Sequence, residues 1–384
     1  MKTARRRRRL APAALAASAV AIGLAAPATA QASEASPAAT PTLYVVNEGG
    51  LQVPGTVTPI PTSTGVPGPT INVGGVPFRV AVTPNGATAY VTDISRNLVI
   101  PIATATDKAG KAIKVGDGPF ALTIIPNGKE VYVANDDSNS VTVINAATSR
   151  TATIGVGAYP TAMVAAANGN TVYSVGLTEM SAISTTTNKA RPQAFIGAGT
   201  HTLAISPDSK TLYVSNGNAL AEFSAATLKI IRTVRVGANQ ALALAPNGKT
   251  LYAIGCSANQ KTGTITPIPT ATLRPGTPVS LGFCSDNDAF SPDGKTLYLV
   301  YSPDGEVPGA VIPFTTAANK TESAISVGDQ PEALALLPGA TAAASTLYVL
   351  NTGSDSVTPV NTATGTAGPQ IEVGYLPTAI GIAR

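Results

Sequence analysis

A short strand-like phrase built on a tyrosine recurs eight times along this 384-residue chain. It reads Leu43-Tyr44-Val45-Val46-Asn47, Ala89-Tyr90-Val91-Thr92-Asp93 and Val131-Tyr132-Val133-Ala134-Asn135, then returns around Tyr173, Tyr213, Tyr252, Tyr298 and Tyr348. The anchors lie 39 to 50 residues apart, and no 3.6-residue periodicity competes with them. A period of this length holding several short strands points away from helical solenoids and leucine-rich horseshoes and towards radially stacked sheets, a β-propeller.

Turn chemistry divides each unit into four strands. A first strand (A), such as Arg79-Val80-Ala81-Val82, runs into Pro84-Asn85-Gly86, a tight-turn signal that recurs at Pro126-Asn127-Gly128, Pro207-Asp208-Ser209, Pro246-Asn247-Gly248 and Pro292-Asp293-Gly294. The tyrosine strand (B) follows, then a third strand (C) such as Val141 to Ile144, and a fourth (D) ending in an apolar residue and glycine, as at Val73-Gly74 or Val373-Gly374. Strand A alternates large residues (Val80, Val82; Leu122, Ile124) with small ones (Ala81, Ala204, Gly381), so that the large face of one sheet can pack on the small face of the next. The first unit lacks strand A, and the chain ends in a lone strand A, Thr378 to Ala383. The expected fold is all-β: a single propeller of eight four-stranded blades, closed by pairing of the C-terminal strand with the N-terminal blade. Seven blades is the alternative.

With the Tyr90-Val91-Thr92-Asp93 and Tyr132-Val133-Ala134-Asn135 strands, the Pro-Asn/Asp-Gly turns and the apolar-glycine pairs in fixed order, the chain resembles the YVTN β-propeller repeat family over roughly residues 42 to 384. Many members of that family have seven blades. The resemblance implies fold far more than function, since similar propellers include surface-layer modules, lactonase-like enzymes and electron-transfer domains carrying haem or copper.

Residues 1–30 read as a signal peptide: Lys2 and Arg5 to Arg9, an apolar stretch from Leu10 to Ala26, and a small-residue site at Ala28-Thr29-Ala30. The same residues leave a Sec or a twin-arginine route open. Residues 31–41 form a flexible N-terminal segment and 42–384 the propeller. The signal holds six of the 25 Lys and Arg and no acid, which leaves 19 basic against 21 acidic residues and removes the electrostatic case for a nucleic-acid partner. No later stretch is long and apolar enough for membrane insertion. The expected product is a secreted monomer, extracellular or associated with the cell surface.

His201 is the only histidine, which argues against haem, a copper centre or a His-rich zinc site, so no metal or cofactor is expected. Cys256 and Cys284 are the only cysteines, and export favours a disulfide between them over two free thiols. Alternating strand direction places both on one face, the top, with the B-to-C and D-to-A loops. At the top mouth of the central channel the repeat stops being uniform. The residues opening strand A are, blade by blade, Phe78, Phe120, Thr161, His201, Gln240, Asp286, Glu332 and Thr378. Arg79 and Asp288 are charged intruders in columns otherwise mostly small or apolar, and a charge in a packing column is costly unless it is paired or hydrated. Phe78, Arg79, Phe120, His201, Gln240, Asp286, Asp288 and Glu332 are therefore the candidate ligand-binding residues. The leading functional expectation is a binding or cell-surface interaction module for an extracellular protein, glycan or small molecule. The alternative is a lactonase- or lyase-like enzyme using His201 with Asp286 or Glu332 as acid and base at the mouth.

Overall fold

The computed structural model describes residues 40–50, 52–197, 202–237, 241–257, 262–285, 287–303, 308–339 and 345–384. Residues 1–39, which include the expected signal peptide and nearly all of the expected flexible segment, lie outside them. The strands form eight small sheets, each pairing in the order A-B-C-D with antiparallel neighbours. In four blades strand D is interrupted, as in blade 2, where Lys108–Ala109 and Ile113–Lys114 both pair with strand C, Leu98–Ala103.

Ring closure follows the expected register. The last strand, Pro377–Ala383, pairs with Thr42–Asn47 from Thr42↔Ala383 to Val46↔Ala379, supplying blade 1 with its missing strand A. Both edges that would otherwise lie open are thereby paired.

The tyrosine strand is the core of each blade. In Leu43 to Asn47 every residue is wholly buried, and Tyr44 and Tyr132 are among the largest side chains without exposure. Strand A is less buried than the sequence pattern suggests: five of the six residues of Pro77–Val82 are half-exposed, because this strand lines the channel. The apolar clusters span neighbouring blades; one joins Tyr44 and Val46 of blade 1 to Ala89, Val91 and Ile100 of blade 2. Inter-blade burial of this kind makes the ring, not the blade, the stable unit.

The phenol of the tyrosine reaches the next blade's C-to-D turn on the bottom face. Tyr44 donates to Asp107 Oδ1 at 2.6 Å and lies 3.2 Å from the Thr104 carbonyl; Tyr132 lies 2.8 Å from Asn188 Oδ1, and Tyr173 donates to the Ala225 carbonyl at 3.0 Å. Burial raises the pKa of Tyr44 and of Tyr132, and a carboxylate beside each adds to the rise, so these phenols remain protonated donors.

On the top face the chain turns from strand D into strand A with a left-handed residue before the proline. Gly118, Tyr159, Gln330 and Leu376 take φ near +50° to +65° there. These turns aim the opening residues of strand A at the mouth.

Candidate functional site: the top mouth of the channel

The mouth is assembled from strand A of successive blades, and its aromatic side is well ordered. Phe78 of blade 2 and Phe120 of blade 3 meet with ring centroids 5.0 Å apart in a tilted pair. The Arg79 guanidinium carbon sits 4.3 Å from the centroid of the Phe78 ring, within cation–π range. Arg79 Nη1 donates to the Thr378 carbonyl of blade 1 at 3.3 Å, and Thr378 Oγ1 returns a bond to the Phe78 carbonyl at 3.2 Å. The strand openings of blades 1 and 2 are thus tied by reciprocal hydrogen bonds.

Burial lowers the proton affinity of Arg79, and the negative charge of Glu332 opposes that shift. Glu332, in blade 8, is raised above the ordinary carboxylate range first by desolvation and then by the charge of Glu48, while Thr352 and Arg79 pull it down. Its side chain is nonetheless open to solvent. Both hold, because a concave mouth lets water reach a carboxylate that protein flanks on several sides. Arg79 and Glu332 attract across the opening without an ion pair within 4.0 Å. That leaves a space bounded by a cation on an aromatic face and an incompletely hydrated carboxylate.

Three neighbours of Glu332 escaped the sequence reading. Asn287 Nδ2 of blade 7 donates to the Glu332 carbonyl, and Thr352, in the B-to-C loop of blade 8, stands beside the Glu332 carboxylate while donating through Oγ1 to the Pro377 carbonyl at 2.8 Å. Glu48 comes from the long B-to-C loop of blade 1. The sequence does carry a coarser signal: the B-to-C loops after Asn47, Gly255 and Tyr301 are longer than the others and share the top face with the D-to-A loops, which marks that sector as a binding face without naming Glu48 or Thr352.

Of the other candidates, Asp288 is buried at the inner strand of blade 7, opposite Leu299 in the ladder, so it stands beneath the rim as part of the blade. His201, Gln240 and Asp286 lie outside the described residues. No group of three metal-ligating side chains occurs among the described residues.

The disulfide is present. Cys256, at the end of strand B of blade 6, bonds Cys284 in the loop leading to blade 7, with Cα atoms 5.3 Å apart. Beside it Phe283 packs on Tyr301 of blade 7 at 5.2 Å. The bridge spans 28 positions and therefore contributes about 3–4 kcal/mol in the chain-entropy account. Cys256→Ser with Cys284→Ser is expected to lower stability by about that much; a denaturant midpoint that is the same for the variant and the parent would show that the bridge is dispensable.

Fold and mouth together define the class: an eight-bladed β-propeller with an asymmetric, aromatic-and-charged channel mouth. No family model matches the chain, and no curated protein sequence matches it. Solved structures do. The hydrazine synthase of Kuenenia stuttgartiensis superposes with a TM-score of 0.58 at 20% identity, covering 75% of this chain and 96% of that one. The dihydro-heme d1 dehydrogenase NirN, in complex with DHE, gives 0.67 at 12% identity over 88% of this chain and 74% of its own. Apo AztD from Citrobacter koseri gives 0.64 at 14% identity over 89% and 97%. At these identities the likeness is one of fold.

Proposed function

We infer that this chain is a secreted propeller of the YVTN type acting as an extracellular binding module, with its ligand at the top mouth. The observation that carries the reading is Arg79, a desolvated cation on the Phe78 ring, which feels the charge of Glu332 without forming an ion pair with it. Held apart, the two charges and the Phe78–Phe120 pair suit a ligand with one apolar face and polar groups at its other end. The disulfide is in keeping with an oxidising compartment.

A thermal-shift screen of amino acids, aromatic acids and oligosaccharides tests this. Hits are expected to lose about tenfold in affinity, roughly 1.4 kcal/mol, in both Phe120→Ala and Glu332→Gln, while the unliganded melting temperature changes little. Hits whose affinities are unchanged in both variants would place the binding site elsewhere.

A further inference from the structure

The bottom face carries a second departure from the repeat. A depression of about 710 Å³ opens there between blades 2 and 3, bounded by their A-to-B turns and the C-to-D turn of blade 3. At its wall is Tyr90, only 3% exposed. The equivalent phenol is hydrogen-bonded to the next blade's C-to-D turn at Tyr44, Tyr132 and Tyr173, and at Tyr213, Tyr252 and Tyr298 a threonine of that turn, Thr270, Thr316 or Thr362, stands beside the phenol and lowers its pKa against the rise caused by burial. The Tyr90 hydroxyl has no partner among the described residues. The residue opposite it by repeat position is Ala146; blade 5 has Ala225 there, and the other six blades have Thr62, Thr104, Thr185, Thr270, Thr316 and Thr362, each donating its hydroxyl to a carbonyl of its own blade. Tyr348 likewise has no side-chain hydrogen-bond partner among the described residues, but the turn opposite it carries Thr62, which donates to the Pro41 carbonyl.

The lining adds donors and few free acceptors. Asn85 Oδ1 accepts from the Ala87 amide at 3.1 Å, Asn127 Oδ1 from the Lys129 amide at 2.9 Å, and Asn145 Oδ1 from the Ala147 and Thr148 amides at 3.2 and 3.0 Å. Those bonds fix which end of each carboxamide is oxygen and leave three Nδ2 groups as donors without partners among the described residues. Lys129 has no carboxylate within 4.0 Å among the described residues. Its neighbour Glu130 is engaged towards blade 4, by the Tyr132 phenol at 2.8 Å and Asn188 Nδ2 at 3.2 Å. A buried phenol, three amide donors and one unpaired ammonium thus converge on a space much larger than an inorganic oxyanion needs.

We propose that this inter-blade pocket on the bottom face binds an acidic saccharide, with the carboxylate of a uronic acid taken by Lys129 and the Tyr90 hydroxyl and the ring hydroxyls accepting from Asn85, Asn127 and Asn145. The site is separate from the mouth and does not depend on the mouth having a ligand.

Calorimetric titration of the full chain with galacturonate, galactose and sulfate decides it. Galacturonate is expected to bind at least tenfold more tightly than either of the others. Tyr90→Phe should weaken it about tenfold with no loss of melting temperature, because the hydroxyl it removes is unbonded in the fold. Ala146→Thr should raise the melting temperature and weaken binding, since the new hydroxyl can donate to the A-to-B turn carbonyl as the equivalent threonines do, and the added side chain narrows the space beside the phenol. Phe120→Ala, at the mouth, should leave galacturonate binding unchanged. Equal affinity for galacturonate and sulfate, equal affinity for galacturonate and galactose, absence of binding, or an affinity indifferent to both Tyr90→Phe and Ala146→Thr overturns the proposal.

Discussion

Removal of residues 374–384 is expected to abolish cooperative folding of the ring. The deleted strand provides the whole of strand A in blade 1, with a ladder from Thr42↔Ala383 to Asn47↔Pro377. It buries Ala379 and Ala383 against the Val46 and Val91 side of the core and packs Ile380 and Ile382 against Leu43, Val45 and Tyr348 on the other. Two isoleucines alone account for about 3–6 kcal/mol of burial, and the opened ring also exposes a strand edge at the two blades that must meet. Total stability for a domain is of the order of 5–15 kcal/mol, so the loss is comparable to all of it. Circular dichroism melts of the truncated chain should show a broad transition or one lowered by at least about 10 °C. A sharp melt at the parent temperature would show that blade 1 stands with three strands and that closure contributes nothing.

Architecture was legible in the sequence because it is set by elements that repeat. The tyrosine strand, the Pro-Asn-Gly turn and the unmatched final strand each recur or fail to recur at a fixed spacing, and closure follows from counting strands at the two ends. The disulfide was legible because strand direction alone puts Cys256 and Cys284 on one face. The mouth was legible in part. Phe78, Arg79 and Phe120 stand out as breaks in a column, and the structure brings them together. Glu332 was found in the same way, but Thr352 and Glu48 beside it were not, because loop residues belong to no column whose regularity they can break. Asp288 stood out as a charge in a packing column and is indeed buried within blade 7; pattern alone does not say whether such a residue reaches the opening. The tyrosine latches were invisible for a different reason. Each depends on a residue in the following blade, and the absence of a partner at Tyr90 becomes meaningful only once the partners of the others are known.

The same reasoning within the repeat gives the second large effect, at Asp93. Four blades place asparagine at this position, and in three of them it faces two hydroxyls on strand C: Asn47 Nδ2 bonds Thr56 and Thr58 at 3.1 and 3.0 Å, Asn135 bonds Ser140 and Thr142, and Asn351 bonds Ser356 and Thr358, whereas Asn216, opposite alanines on strand C, donates to the Ile196 carbonyl instead. Blade 2 has Asp93, and the corresponding strand C residues are Leu98 and Ile100. The wholly buried carboxylate finds its partners elsewhere. Oδ1 accepts from the Val76 amide at 3.1 Å and from Ser95 Oγ at 2.8 Å, and Oδ2 accepts from Arg96 Nε at 2.5 Å. Arg96 in turn donates to the Val73 carbonyl, so one aspartate holds the D-to-A turn that presents Phe78 and Arg79 to the mouth. Gly75 is required in that turn, since a Cβ there would lie 2.0 Å from Asp93 Oδ2. Asp93→Ala leaves those donors without their acceptor and is expected to cost about 3–5 kcal/mol, as breaking a buried pair generally does. Asp93→Asn should not rescue it by itself, because the new Nδ2 meets Leu98 and Ile100 and the Arg96 charge loses its counterion. Adding Leu98→Ser and Ile100→Thr rebuilds the pattern of blades 1, 3 and 8, and should recover most of the asparagine variant's loss. Denaturant midpoints of the single and triple variants check this. A single Asp93→Asn variant as stable as the parent would mean that the carboxylate's charge is not what holds the turn.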